Sequence, residues 1–530
     1  MQKDYTPFVV IPEKEKKSAQ KRNIEVAKEV AESVRTTLGP KGMDKLLVNG
    51  QNKITVTNDG VTILQEMEYI HPIAQMIIQI AQTQESEVGD GTTTAVILAG
   101  ELLSKAQDLL QRGIHPTIIN KGYKQASEKA LAIIESLATK VDATDTEILT
   151  QIITTAMTGK GAESIKEDLT SIIIEAVSKV SQNKHAKPQD IKIEKRVGSN
   201  KASTLIKGIL IDKGRVHPDM PNAITDAKIA LLNCALEVKD TETKSNISIT
   251  NPEQIKQFIE QEDLIVKHFA DTIIASGANV VFCQKGIDDL VQYQLAKKGI
   301  FAVRRVTQTD MEKFARATGA KIIFDINDLV PETLGQAEEV YESRERDTVT
   351  YVTGCKNDIA ATIVISGGTE HVADEICRAV DDALGDVFAV LKNNTIVPGA
   401  GAIEIEIAKN LYTFAKTLSG REQLAIKAFA ESLETIPKTL AENAGLDPID
   451  ITTTLYAEHE KGIADAGIDV FSGNAIKALE KGIVEPSAIK IHAIQSATEV
   501  ATMILRIDDT IVSPPEQQAP QGYSNQYPGF

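Results

Sequence analysis

The alternation of apolar and polar positions divides this chain into a helical first part, a strand-rich middle and a helical last part. Ile24, Ala27, Val30, Ala31 and Val34 recur on one face of a helix that follows the charged residues 14–22, and Gly39-Pro40 breaks it. Ile73, Ala74, Ile77, Ile80 and Ala81 predict a second helix; Val96, Ala99, Leu102, Leu103, Ala106, Leu109 and Leu110 predict a third. Further helical runs cover 116–138 and 152–169. Residues 53–57 alternate as a strand and run into the turn Asn58-Asp59-Gly60. After Pro188 short apolar runs at 191–193, 206–211, 229–232, 280–282, 301–303, 321–324 and 360–365 predict strands, and helical runs such as 290–298 separate several of them. The middle therefore reads as an α/β domain inserted between helical parts, ending near Ser366 with Gly367-Gly368 as a hinge. Within it, Asn251-Pro252-Glu253 opens a helix carrying Ile255, Phe258, Ile259 and Ile265, behind a polar stretch at 239–248. Helical spacing resumes at 373–391 and 403–411. Residues 513–530 are Pro, Gln, Gly, Asn, Ser and Tyr with little else, a composition that predicts a disordered tail.

Composition narrows the function classes. A chain of 530 residues accommodates three or four domains, and with aromatics at 4% and no Trp its core is aliphatic. A net charge of -17 repels a phosphate backbone and excludes nucleic acid as an expected partner. Cys234, Cys283, Cys355 and Cys377 follow no metal-binding spacing and fit a reducing compartment. No signal-peptide order and no bilayer-length apolar run is present, which points to a cytoplasmic protein with no membrane partner.

The candidate chemistry centres on residues 88–94, where two glycines, a carboxylate and three hydroxyls precede the third helix. Gly89 and Gly91 leave backbone N–H groups open to an anion. Thr92, Thr93 and Thr94 fall at a helix N-terminus, where free N–H groups and the dipole stabilise phosphate, and Asp90 can hold Mg²⁺ against it. The same residues also suit an ordinary capped turn. Gly39, Pro40 and Gly42 read equally as a helix stop or as a second phosphate-facing loop, and Asp59 as a turn former or a second carboxylate. Lys160, behind Gly159, is either a solvated lysine or a phosphate neighbour. Asp382 lies opposite Ile376, Val380, Ala383 and Val387, together with Glu375, Arg378 and Asp386. That face is a solvated acidic surface unless it borders a cleft, where Asp382 could hold a water. Pro398-Gly399-Ala400-Gly401-Ala402 is another glycine turn before a helix. Glu485 precedes Pro486 and should be extended, either solvated or accepting from a ribose hydroxyl.

Taken in order, Thr37-Leu38-Gly39-Pro40-Lys41-Gly42-Met43-Asp44-Lys45, Thr57-Asn58-Asp59-Gly60, Gly89-Asp90-Gly91-Thr92-Thr93-Thr94, Gly367-Gly368-Thr369-Glu370-His371, Asp382-Ala383, Pro398-Gly399-Ala400-Gly401-Ala402 and Val484-Glu485-Pro486 resemble the group II chaperonins, in their archaeal thermosome form. The resemblance spans nearly the whole chain and implies an α+β multidomain fold. Its parts would be a helical equatorial ATP-binding domain (1–145 and 402–512), a small intermediate hinge domain (146–208 and 368–401), an inserted α/β apical substrate-binding domain (209–367) and the tail. A helical protrusion over 239–268 would form a built-in lid. The resemblance further implies ATP and Mg²⁺ as cofactors, with unfolded proteins and identical or paralogous subunits of a double ring as partners. By the same resemblance Asp90 is the metal ligand, and Gly39, Pro40, Gly91, Thr92, Thr93 and Thr94 hold phosphate. Asp382 positions the attacking water with Asp59 assisting, Gly401 and Glu485 belong to the nucleoside pocket, and Gly159 and Lys160 reach the nucleotide from the hinge domain. Ala400 departs from the family's usual glycine, so its methyl group would crowd the nucleotide. Two other readings stay open. An ordinary Mg-ATP enzyme, such as a small-molecule kinase, would show an acceptor pocket and need no ring. A structural ring subunit with little turnover would be indifferent to loss of Asp382.

Overall fold

The computed structural model describes residues 13–509 apart from 51, 68, 70, 182–186, 199–201, 238–251, 345–347 and 358–359. The polar stretch at 239–248 and the tail at 513–530 thus lie outside the described residues, as do the side chains of Ile255, Phe258 and Ile259.

Helix Thr92–Gln111 is the axis of the largest body. It is buried on nearly every side, packing on Glu13–Arg35, Pro72–Val88, Glu422–Leu433 and Ser487–Ile504. Small residues make this possible: a Cβ at Gly100 would collide with the Cβ of Ala31, so the two helix backbones approach as only glycine permits. Pro116–Leu137 and Ala402–Thr417 complete the packing around one aliphatic core, drawn from 24–134 and 397–505. Among its few aromatics Tyr123 and Phe429 meet edge to face, 5.7 Å between centroids. Proline at the first turn starts Pro72–Val88, Pro116–Leu137 and Pro448–Glu460, capped by His71, His115 and Asp447. On the flank, strands Lys45–Val48 and Ile54–Thr57 form an antiparallel hairpin, of which only the second strand is apparent from alternation.

A second, smaller body has its own core, from 143–191, 361–396 and Val484. The predicted single run over 152–169 is instead two helices, Thr146–Met157 and Lys166–Val180, because Gly159 takes φ 80° and reverses the chain between them. Helix Glu370–Asn393 packs on them. Strand Ala361–Gly367 runs parallel to Ile191–Val197, with Ile363 opposite Ile193, and antiparallel to Thr204–Ile206. This pairing places 361–367 in the second body, not at the end of the insert where the composition shift suggested. The predicted strand at 206–211 is likewise two, Thr204–Ile206 and Gly208–Ile211, in different sheets.

The insert is a mixed sheet with helices on both faces. Gly208–Ile211, Val349–Cys355, Gly335–Ser343 and Ala223–Leu232 are antiparallel neighbours; Val280–Cys283 and Phe301–Val303 continue in parallel, and Ile322–Ile323 also pairs with Ala223–Leu232. The pleat sorts side chains by parity. Ile229, Leu231, Val280 and Phe282 pack under helix Gln308–Thr318, whereas Ala230, Leu232, Val281 and Cys283 pack under Pro252–Ser276 and Asp289–Lys297.

Candidate functional site

A cavity of about 320 Å³ opens where the first two bodies meet, and Gly39, Pro40, Asp59, Asp90, Gly91, Thr92, Thr93, Thr94, Gly159, Lys160, Asp382, Gly401 and Glu485 line it, whereas Gly42 and Gly89 are not in its wall. Its floor is built by two glycine turns. Gly89 (φ 86°) ends helix Pro72–Val88 and Gly91 (φ 79°) begins Thr92–Gln111, so one helix stops and the next starts within three residues, and the new helix's first N–H groups have no partner within the helix. Buried Gln84 pins the turn, donating from Nε2 to the Asp90 carbonyl at 2.9 Å and to that of Ile489 at 3.2 Å, while its Oε1 lies 2.7 Å from His492 Nδ1. Asp59 caps helix Gly60–Glu66, accepting from the Thr62 N–H at 2.8 Å and from its hydroxyl at 2.7 Å.

The second body closes the cavity from above. Gly159 lies flat on Pro40, where any Cβ would overlap the Pro40 backbone, and Asn58 Nδ2 donates to the Gly159 carbonyl at 3.4 Å. Lys160 extends inward, its Nζ 2.5 Å from Asp382 Oδ2 and 3.8 Å from Asp90 Oδ1. Burial opposes the charge on Lys160, but Asp382 and Asp90 outweigh it and hold the amine above its ordinary pKa. For Asp382 burial pushes the carboxyl upward, Lys160 pulls it down, and Asp90 and Asp59 add repulsion. These two directions conflict within one pair, since a neutral Asp382 would remove what keeps Lys160 charged. Both side chains keep about a fifth of their surface open to the cavity, 19% and 22%, and the short contact is that of an ionised pair. The polar face of helix Glu370–Asn393 is thus a cleft wall, not the solvated surface that its pattern also allowed.

Lys490 and Asp386 also line the cavity, charged residues to which the sequence reading gave no role. Lys490 bridges Glu485 Oε2 at 2.8 Å and Glu404 Oε1 at 2.9 Å; burial works against its charge, and the two carboxylates more than restore it. Glu485 is held extended in strand Val484–Pro486 as expected, but its carboxylate meets this lysine, and burial raises its pKa against the pull of Lys490. Asp386, one turn beyond Asp382, is buried where the helical pattern placed it on the polar face. Its i+4 spacing from Asp382 is the one clue that the chain offered. The far end of the cavity is apolar, lined by Leu38, Ile436, Leu440, Ile468, Val470 and Ile483. Ala400 keeps a positive φ of 56°, and its methyl group faces Gly467, whose own Cβ would come within 2.8 Å of it.

Six carboxylates and three lysines line this space, an imbalance that favours a cation alongside an anionic ligand. Among the described residues no three His, Cys, Asp or Glu side chains form a ready-made metal cage. Magnesium needs none, being held through one or two carboxylates, water and phosphate oxygens.

Fold and cavity together define a class: a multidomain chaperonin-type subunit, with an inserted α/β domain joined to a helical base through a smaller second body. The model of the TCP-1/cpn60 chaperonin family matches residues 30–515, and the chain belongs to that family. It is 54% identical to a thermosome subunit of Methanopyrus kandleri over 503 residues, 94% of this chain and 92% of that protein. It is also 54% identical to a thermosome subunit of Methanocaldococcus jannaschii over 516 residues, 96% and 95% of the two chains. Among solved structures, the open-state monomer of a group II chaperonin from Methanococcoides burtonii superposes with a TM-score of 0.61 at 44% identity, covering 79% of this chain and all of that one. The chain is accordingly a molecular chaperone subunit. Among the described residues no helix is long and apolar enough to cross a membrane.

Proposed function

We propose that this subunit binds Mg-ATP in the cavity between its first two bodies, hydrolyses it, and uses the change in bound phosphate to swing its hinge. In this reading the equatorial domain is 1–145 and 402–512, and the intermediate domain is 146–208 and 368–401 with strand Ala361–Gly367. The remainder of 209–360 is the apical domain, which takes unfolded protein. Its helix Pro252–Ser276, with Leu264 and Ile265 exposed, would carry the built-in lid. Thermosome subunits named alpha and beta in Archaeoglobus fulgidus, 51% and 53% identical to this chain, support a ring of like or paralogous subunits, here a double ring in the cytoplasm.

The residues present fit the cofactor. The Thr92–Gln111 helix terminus offers N–H groups and hydroxyls to phosphate, and Gly39 and Gly91 supply the positive φ at the turns beside it, where a Cβ would collide with Leu440 and Ile489. Asp90 would hold magnesium, which when bound neutralises the charge that develops on the phosphates. Asp382 would accept a hydrogen bond from the attacking water and orient it, with Asp59 beside it; the apolar end would take the base and Gly401 and Glu485 the sugar. Lys160 would trade its carboxylate partners for phosphate oxygen. The observation that carries this reading is that Lys160 and Asp382 come from one body, Asp90 and the threonines from another, across a single cavity. A ligand bridging them senses their separation.

The test is turnover by the assembled protein, wild type against Asp382→Ala, with nucleotide binding and particle size measured in parallel. Hydrolysis should fall about a hundredfold or more with binding and size retained. Unchanged turnover would remove Asp382 from the chemistry and favour a structural ring subunit.

A further inference from the structure

We propose that Asp386 is a positioning residue for the magnesium ion, its carboxylate accepting hydrogen bonds from water molecules on the cation that Asp90 holds. The inference rests on the Mg-nucleotide reading of the cavity and extends it to a residue whose role no motif signals.

Asp386 lines the cavity and is 3% exposed, yet among the described residues no hydrogen bond holds its carboxylate, and Oδ1 is fully enclosed without a partner. Such a group is costly: an unpaired buried carboxylate forfeits its hydration and receives nothing in return. A carboxylate with a purely structural role is built with donors around it, as Glu434 is, accepting from Tyr412 and Tyr456 at 2.7 Å each. The charged groups facing Asp386 are Asp90, Lys160, Asp382 and Glu485. Lys160 is already engaged by Asp382 and buried Lys490 by Glu404 and Glu485, and Lys481, the third lysine of the cavity, is exposed and not among the charges that face Asp386. What is missing beside Asp386 is positive charge or donors, on the side where Asp90 sits. The backbone holds this arrangement tightly, because Gly385 and Gly89 touch so closely that a Cβ at Gly89 would lie 2.5 Å from the Gly385 Cα. Magnesium bound through one protein carboxylate keeps several waters, and those waters require acceptors. Asp386 is the acceptor that the cavity leaves free.

The experiment uses the full-length protein as wild type, Asp386→Asn and Asp386→Ala. Thermal melting is measured with neither nucleotide nor metal and again with Mg-ADP. Mn²⁺, as a spectroscopic probe, is titrated into the protein–ADP complex. The expected result is a split. Both variants should melt higher than wild type when empty, having lost an unpartnered carboxylate, yet bind Mn²⁺ about tenfold more weakly in the ADP complex and gain less from Mg-ADP. Metal-free ADP affinity should not fall. Equal Mn²⁺ affinity in wild type and variants would overturn the inference while leaving the nucleotide site intact. Variants that melt lower both empty and loaded would overturn it in favour of a structural role. A wild-type protein that binds ADP with no dependence on metal would overturn the underlying cofactor reading, and this inference with it.

Discussion

Asp59 caps a helix and, in the proposed function, also assists catalysis, and substitution can separate the two. Asp59→Asn keeps an oxygen for the Thr62 N–H, so folding stability should change little, whereas Asp59→Ala loses the cap and should cost about 1 kcal/mol in a denaturant melt. If Asp59 assists catalysis, both variants should lose turnover, by about tenfold or more, although only one loses stability. Asp90 and the threonines stood out as a group because glycines, an acid and hydroxyls precede a helix there, whereas Asp382, in mid-helix, was singled out by the family resemblance. Asp386, Glu404 and Lys490 were not, because each sits within a regular helix and acquires meaning only from what the fold brings opposite it. Ala400 shows the same limit. Its departure from the family's usual glycine is plain in the sequence, but that its methyl group lies near Gly467 on the cavity wall is read only from the fold.

At the scale of elements, the contact between helix Glu370–Asn393 and the loop after Pro72–Val88 sets the distance between Asp382 and Asp90. Gly385 and Gly89 form that contact with no side chain between them. Gly385→Ala should therefore push the helix outward. We expect a loss of about 1–3 kcal/mol of stability, and a loss of turnover larger than any loss of nucleotide affinity. Comparison of kcat with KM in the variant checks it. Helices with strong apolar stripes, and strands buried on both faces, were readable along the chain. Gly335–Ser343 and Val349–Cys355 were missed, although they join Gly208–Ile211 to the rest of the insert's sheet. Their residues are Gly-Gln-Ala-Glu-Glu-Val-Tyr-Glu-Ser and Val-Thr-Tyr-Val-Thr-Gly-Cys, too polar to form an apolar run, and what binds them is pairing to each other and to distant strands.

Across the whole molecule, the insert and the hinge body meet through charge. Lys192 Nζ, largely buried, contacts Asp310 at 3.0 Å, Glu194 at 3.2 Å and the Leu210 carbonyl at 2.7 Å, and Arg316 pairs with Asp190 at 2.5 Å. Asp310→Asn weakens the one carboxylate from the insert that this lysine reaches. Small-angle scattering of the dissociated subunit should then report a broader spread of insert positions, while the melt of the helical base stays unchanged. The three-part organisation was readable from the chain because each body has its own apolar rhythm, but the assignment of 361–367 was not, since a strand's partner is no property of its own residues. The chain passes from the second body into the insert between strands Thr204–Ile206 and Gly208–Ile211, and returns between Val349–Cys355 and Ala361–Gly367. A part tethered at two points swings freely about the line that joins them, as a door does on two pins, and resists both twist and slip. Under the proposed nucleotide cycle the insert's travel should therefore be close to a single angle, and its far edge should magnify a small rotation at the two crossings.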